Sequence, residues 1–302
     1  MSDLFTATTA VQVEEALARG DNIEEVRGER WHTKTTPLVS ACKRGELEVV
    51  DCLLNHGADP KHNPSSRLPG PIQMASKWGH AAIVECLVKA GADVNDNQRG
   101  SSETALMLAS QQGHVDVVDL LLSLGASANV KNFNNVTALM LASESGMIDV
   151  VDRLLAAGAN VNDNDVFGTT ALMEASRRGS VPIIDRLVVH GADFNHQDER
   201  GFNALIRASL NDRIEAVDRL LSLGCDVNVQ NKDGWTALMN ACVAGKINVV
   251  RLLLDHGADP LLQDKNGKRA IDLAAGSQEI QTLLNGLIIL SFHHHHHHHH
   301  VP

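Results

Sequence analysis

The sequence contains no tyrosine, and aromatic residues make up only 3% of its 302 positions. That poverty excludes an aromatic-rich β-sandwich and a module that stacks nucleic-acid bases on its own rings. No run approaches the ~20 apolar residues needed to span a bilayer. Met1-Ser2-Asp3-Leu4 has neither the basic nor the apolar region of a secretory signal. Cysteine is scarce: Cys42, Cys52, Cys86, Cys225 and Cys242 are odd in number, and none belongs to a CxxC pair. This argues against a disulfide framework or zinc ribbon and for reduced thiols in a cytoplasmic or nuclear compartment. Positive charge is in deficit. The formal net charge is −11, so nothing global draws the chain to nucleic-acid phosphates or anionic lipid. Also missing are a phosphate-cradling glycine loop, a GxSxG elbow and an HExxH pair. No catalytic, cofactor-binding or metal site is therefore expected, and the chain does not read as an enzyme. Eight consecutive histidines, His293 to His300, read as an affinity tag and are set aside.

What the sequence does have is a period. Alanines stand at Ala41, Ala75, Ala109, Ala142, Ala175, Ala208, Ala241 and Ala274, spaced by 34, 34 and then 33 residues. Sixteen residues after each of the first seven comes a glycine, from Gly57 to Gly257, and four residues before each glycine a leucine, from Leu53 to Leu253. Each repeat reads as two short helices and a turn. In the fifth, Thr137 to Ala142 starts an apolar helix that stops at Gly146, where a left-handed residue costs glycine nothing. A second helix carries Val150, Val151, Leu154 and Leu155 on one face, and Asn160 to Asp165 runs out as a polar turn. The small Ala142 lets helices of neighbouring repeats approach. One repeat cannot bury its own apolar face, so the repeats must stack.

These residues resemble the ankyrin repeat. Thr36-Pro37-Leu38, Thr104-Ala105-Leu106, Thr170-Ala171-Leu172 and Thr236-Ala237-Leu238 match its helix start. Gly91-Ala92-Asp93-Val94-Asn95 and Gly224-Cys225-Asp226-Val227-Asn228 match its turn. The resemblance covers residues 32 to 284 and implies an all-α solenoid of stacked helix-turn-helix repeats with short projecting hairpin turns. Residues 1–31 form an N-terminal capping repeat, and Leu4 to Ala18 predict two short helical segments there. Seven full repeats, the second to the eighth, fill 32–264 and begin near His32, Ser65, Arg99, Asn132, Asp165, Asp198 and Asn231. A C-terminal capping repeat takes 265–286, and 287–302 is a tail carrying the tag.

The resemblance also implies that partners dock on a concave face lined by first helices and turn tips. Function must then be sought in residues that vary while the framework holds. The pairs ending the first helices are Lys43-Arg44, Lys77-Trp78, Gln111-Gln112, Glu144-Ser145, Arg177-Arg178, Leu210-Asn211 and Val243-Ala244. Five of these side chains are cationic and one is anionic, which predicts a locally basic groove on an acidic protein. Phe133, Phe167, Phe202 and Trp235 stand at turn tips, and with Arg177, Arg178 and Arg207 they offer apolar anchors beside arginines suited to carboxylate or phosphate. Two readings stand for this group: partner contacts, or rings that cover the adjacent hairpin beside solvated arginines. Met107, Met140, Met173 and Met239, with Ile206, form a ladder that is either an adaptable groove floor or packing between first helices.

Two repeats depart from the pattern. In the third, Asn63-Pro64-Ser65-Ser66-Arg67-Leu68-Pro69-Gly70-Pro71 replaces the usual turn, and its prolines forbid a regular hairpin donor pattern. It is either a tolerated irregularity or a distinctive loop that a partner reads beside Lys77 and Trp78. In the seventh, Asp212 stands where the others have glycine. The turn asparagines Asn95, Asn129, Asn162, Asn195 and Asn228 each follow a leucine by eight residues. They are similar to sites used by the asparaginyl hydroxylase of oxygen sensing, and the resemblance makes them candidate modification sites. Of the non-tag histidines, His56, His190 and His256 precede the turn glycine and His80 and His114 open the second helix, places set by the repeat rather than by a metal. Cys42, Cys225 and Cys242 fill small core or turn slots. The expectation is a non-catalytic, monomeric protein-interaction scaffold or adaptor that binds an acidic or phosphorylated peptide, or an acidic patch. It should bind no nucleic acid and insert in no membrane. The alternative is a docking arm or spacer of a larger multidomain protein.

Overall fold

The computed structural model describes residues 1–30, 32–97 and 102–298. The expected start of the fourth repeat at Arg99 and the last residues of the tag lie outside them. Among the described residues the chain is helical, with an isolated antiparallel bridge between Arg27 and Thr35. It divides into two compact bodies, the first ending at Asp165 and the second beginning at Val166.

The first body opens with α1 (Ala10–Ala18) and continues as helix pairs: α2 (Pro37–Arg44) with α3 (Leu47–Asn55), and α4 (Pro71–Lys77) with α5 (Ala81–Lys89). Then come α6 (Ala105–Gln112) with α7 (Val115–Ser123), and α8 (Ala138–Ser145) with α9 (Ile148–Ala156). First helices α2, α4, α6 and α8 pack side by side, and α1, α3, α5, α7 and α9 form a second row. The second body repeats the plan with α10 (Ala171–Arg178) and α11 (Val181–Val189), α12 (Ala204–Leu210) and α13 (Ile214–Ser222), and α14 (Ala237–Val243) and α15 (Ile247–Asp255). It closes with α16 (Ala270–Leu273) and α17 (Gln278–His298). The boundary expected between 286 and 287 falls inside α17, which runs across it.

The Thr-x-Leu starts are helix caps. The side-chain oxygens of Thr36, Thr104, Thr137, Thr170 and Thr236 accept the backbone N–H three residues on, at 3.2–3.4 Å, and Asn203 does the same at 2.9 Å. Each such cap stabilises its helix by about 1 kcal/mol. The first helices then stop at a left-handed residue, as at Gly45 (φ 77°) and Gly146 (φ 75°). Asp212 adopts the same conformation at φ 57°, so the departure in the seventh repeat is absorbed without changing the turn. The alanines that set the period are fully buried where first helices meet, and Val118, Leu121, Val151 and Leu154 fill the space toward the second helices. The methionine ladder is packing, not a groove floor. Met107 and Met140 in the first body, and Met173, Ile206 and Met239 in the second, are all buried.

The N-terminal cap differs from the two helical segments expected. Residues 3–7 make a single turn, closed by Ala7 N–H on the Asp3 carbonyl at 2.9 Å, and α1 alone follows. The Asp3 carboxylate takes the N–H groups of Phe5 and Thr6. Thr9, in extended conformation, caps α1 through Gln12 N–H, so the chain leaves helical geometry between the two.

Turn asparagines tie neighbouring repeats together. The Asn129 amide donates to the Gly158 carbonyl (3.1 Å) and accepts from Asn160 N–H (2.7 Å). Asn95 bridges to Gly125 and Ser127, and Asn228 to Gly257 and Asp259, in the same way.

Candidate functional site

At the hairpin tips of the second body, one side chain organises each turn. Asp198 Oδ1 accepts the N–H groups of Arg200 and Phe202, and Asn231 Oδ1 those of Asp233 and Trp235, all at 2.9 Å. Successive tips are joined through the backbone: Glu199 N–H to the Phe167 carbonyl, Lys232 to Arg200, and Lys265 to Asp233, at 2.9–3.1 Å. Glycine is needed here for two reasons. Gly201 has φ 83°, and a Cβ on it would lie 2.8 Å from the Asn231 Cα.

Several residues that the sequence offers to a partner also make contacts within this framework. Arg207 donates to the Asp198 carboxylate, which is buried, and its guanidinium also lies over the Phe202 ring. The Trp235 indole donates to Asp264 Oδ2 at 3.0 Å. Burial opposes ionisation of Asp264, but N–H donors from Lys268, Asn266 and Trp235 outweigh it and hold its carboxyl below the ordinary value. Phe202 and Trp235 are half-buried, each with contacts inside the hairpins. Arg177 pairs with Glu174 at 3.1 Å, and its carbonyl accepts from Arg213. Arg178 lines a shallow depression with Asp212, Arg213 and Glu215 that mixes both signs of charge. Phe167 and Leu210 are exposed, as is Phe133 in the first body.

In the first body, the pairs ending α2, α4 and α6 have different fates. The Arg44 guanidinium donates to the carbonyls of Phe5 and Ala7 and to Ser40 Oγ, so it fastens the N-terminal turn. Gln111 is half-buried and Gln112 exposed, and neither brings charge. Trp78 remains 49% exposed, with the ammonium groups of Lys43 and Lys77 each 5.9 Å from the ring centre. Two histidines contact the backbone carbonyls of these lysines. His80 Nε2 meets the Lys43 carbonyl at 3.2 Å and His114 Nε2 the Lys77 carbonyl at 2.9 Å. A carbonyl only accepts, so Nε2 carries the proton in both rings.

Beside Trp78 the third repeat's proline-rich loop is ordered by its own side chains. The buried Ser65 Oγ donates to the His32 carbonyl and accepts from Arg67 and Leu68 N–H, replacing the Asp or Asn of other tips. Asn63 holds the Leu68 carbonyl and Ser65 N–H. Between this loop, α4 and the start of α6 lies a cavity of about 210 Å³, lined by Arg67, Leu68, Gln73, Lys77, Glu103 and Leu108 among others. Gln73 is buried, with its amide N–H on the Asp96 carbonyl. The sequence reading reached Lys43, Lys77, Trp78 and the loop, but missed Gln73, Glu103 and Leu108. One signal was available: Gln73 occupies the slot that holds Met107, Met140 and Met173 in later repeats.

Among the described residues no three His, Cys, Asp or Glu side chains converge as a metal would require, and no helix is long and apolar enough to cross a membrane. Burial pushes the Cys225 and Cys242 thiols up to about 12, and that of Cys42 higher still.

The family model for ankyrin repeats (three copies) matches residues 10–98, 72–165, 139–231 and 215–289. The chain belongs to the ankyrin-repeat family. Among solved structures, the crystal structure of the human ASB11 ankyrin repeat domain is similar, with 27% identity and a TM-score of 0.65, covering 72% of this chain and 96% of that one. A search of curated proteins returns no match. Ankyrin repeats are generally protein–protein interaction modules, and the fold is typically non-catalytic. The ankyrin framework accounts for the caps, turn glycines, buried alanines and turn asparagines described above. The loop beside Trp78 is where the third repeat departs from the pattern of this chain's other repeats.

Proposed function

We propose that this ankyrin-repeat protein is a monomeric, non-catalytic scaffold or adaptor of a reducing compartment. On this reading it binds an acidic or phosphorylated peptide segment of another protein at the Trp78 face of its first body. The observation that carries this is the half-exposed indole with two lysine ammonium groups over its ring, on a chain whose net charge is −11. An aromatic surface rimmed by cations favours an anionic partner with an apolar neighbour, and buried tryptophan is among the commonest hot-spot residues. The second body is the weaker candidate, because Arg207 and Trp235 already have acidic partners within it.

The test is a peptide-display selection on three proteins: wild type, a Lys43→Glu/Lys77→Glu/Trp78→Ala variant, and an Arg177→Glu/Arg178→Glu variant. Acidic peptides should be enriched on wild type and on the arginine variant and lost on the first-body variant. The opposite pattern would move the site to the second body. Absence of any enrichment would favour a docking arm or spacer. A binding that strengthens for nucleic acid at low salt, with a steep salt slope, would replace the peptide reading altogether.

A further inference from the structure

We propose that the cavity beside Trp78 is a specificity pocket for one aliphatic side chain of the bound segment, set next to an acidic residue that lies against Trp78. This rests on the peptide-binding reading of the same face. The cavity measures about 210 Å³, below the ~300–1,000 Å³ usual for small-molecule and cofactor sites. That size suits a single leucine, isoleucine or methionine side chain rather than a free metabolite.

The chemistry of the walls divides the work. Leu68, Pro69 and Leu108 give the slot an apolar surface, and Leu108 is itself buried, so a side chain entering there completes a packed patch. Charged groups of both signs, Arg67, Lys77 and Glu103, also line it. An aliphatic side chain packs on Leu68, Pro69 and Leu108 and adds no charge to this mixed lining. The anionic group of the segment goes instead to the ammonium groups of Lys43 and Lys77 at the half-exposed Trp78 ring. Lys77 belongs to both places: it lines the cavity and flanks the indole. An extended chain advances ~3.3–3.6 Å per residue, so one lysine can serve both only if the aliphatic and acidic residues are neighbours or one apart.

The pocket also has a fixed shape. Gly70 sits where a Cβ would come within 3.0 Å of the Gln73 amide oxygen and 3.4 Å of the Asn63 side chain. Asn63 and Ser65 hold the loop with four hydrogen bonds to its backbone. A preformed slot avoids most of the ordering cost of binding.

An immobilised array of random hexapeptides tests this, read with wild type, Leu68→Glu and Lys43→Glu/Lys77→Glu/Trp78→Ala. Leu68 is 38% exposed, so Leu68→Glu alters the cavity mouth without burying charge. A thermal melt of each variant checks folding. On wild type, Asp or Glu within two residues of Leu, Ile or Met should be enriched. Replacing the aliphatic residue by Ala should weaken binding about tenfold or more. On Leu68→Glu the aliphatic preference should vanish while an acidic preference remains. Acidic peptides enriched on wild type without an aliphatic neighbour, or the same motif on Leu68→Glu, would overturn the pocket and leave the peptide-binding face standing. Unchanged enrichment on the triple variant, or none on any protein, would overturn both.

Discussion

Arg207 Nη2 and Asp198 Oδ2 lie 2.5 Å apart, with the carboxylate side chain only 3% exposed and the arginine 17%. The pair joins a first helix to the hairpin that precedes it, and Asp198 Oδ1 organises that hairpin at the same time. Removing the arginine leaves a buried carboxylate unpaired, which costs about 2–4 kcal/mol. Arg207→Ala should therefore lower the urea midpoint well beyond an exposed arginine such as Arg178→Ala. The fifth repeat solves the same turn with Asn132 and Leu141. The double variant Asp198→Asn/Arg207→Leu should accordingly regain most of the loss, to within about 1 kcal/mol of wild type. A double variant no more stable than Arg207→Ala would show that the pair is not an isolated unit.

That pair also shows where sequence reading stops. The period, the capping threonines and the left-handed turn residues were legible because backbone geometry selects them locally, and even Asp212 takes the glycine conformation its position demands. Side-chain commitments are not local in this way. Arg207 looks available until Asp198, nine positions earlier, is known to face it, and Trp235 until Asp264, in the next tip, takes its N–H. A trace existed: among the tip residues Asp198, Asn132 and Asn231, the aspartate is the one whose repeat carries arginine at the later slot, opposite Leu141 and Asn240 elsewhere. The Trp78 cluster was legible as a sequence oddity, but its cavity was not, since the walls come from three segments spanning residues 63 to 108.

Asp212 should be improvable. A side chain in the left-handed region costs roughly 1–2 kcal/mol, less for Asp than for most residues. Glycine removes that strain but gains about 0.5–1 kcal/mol of unfolded-state entropy. The Lys246 contact at 3.9 Å is between half-exposed groups and adds little. Asp212→Gly should come out neutral to about 0.5 kcal/mol more stable, and Asp212→Val clearly destabilised, by thermal melting. A destabilised glycine variant would mean that the aspartate makes a contribution beyond its backbone.

The asparagine bridge between turns predicts a position-specific loss. Asn129 makes two cross-repeat hydrogen bonds from one amide, so Asn129→Ala should cost about 1–2 kcal/mol. Asn164→Ala, at an exposed position that the backbone holds in an isolated bridge, should cost little by comparison. Hydrogen exchange should locate the change at Gly158 to Asn160. An oxygen added at the asparagine β-carbon leaves the amide free to make both bonds. If the hydroxylase acts on Asn129, intact mass after co-expression should rise by one oxygen while the melting temperature stays within a few degrees.

The cysteines give a pH dependence with a definite sign. Cys42, Cys225 and Cys242 are buried and their thiols are pushed up by burial, to about 12 for the latter two. In the unfolded chain they ionise near about pH 8.5. The folded state thus keeps protons that the unfolded state releases. The stability these thiols contribute is whole below about pH 8.5 and is lost above it by about 1.4 kcal/mol per pH unit for each thiol. The variant Cys42→Ser/Cys225→Ala/Cys242→Ser reproduces the residues that other repeats carry at these slots, as at Ser76, Ala192 and Ser110. Between pH 8 and pH 10 the urea midpoint of wild type should fall more steeply than that of this variant, and parallel curves would refute the assignment. Maleimide labelling at pH 8 supplies the second readout. Cys86, the one cysteine that is not buried, should react first, and Cys42, Cys225 and Cys242 only when the chain unfolds.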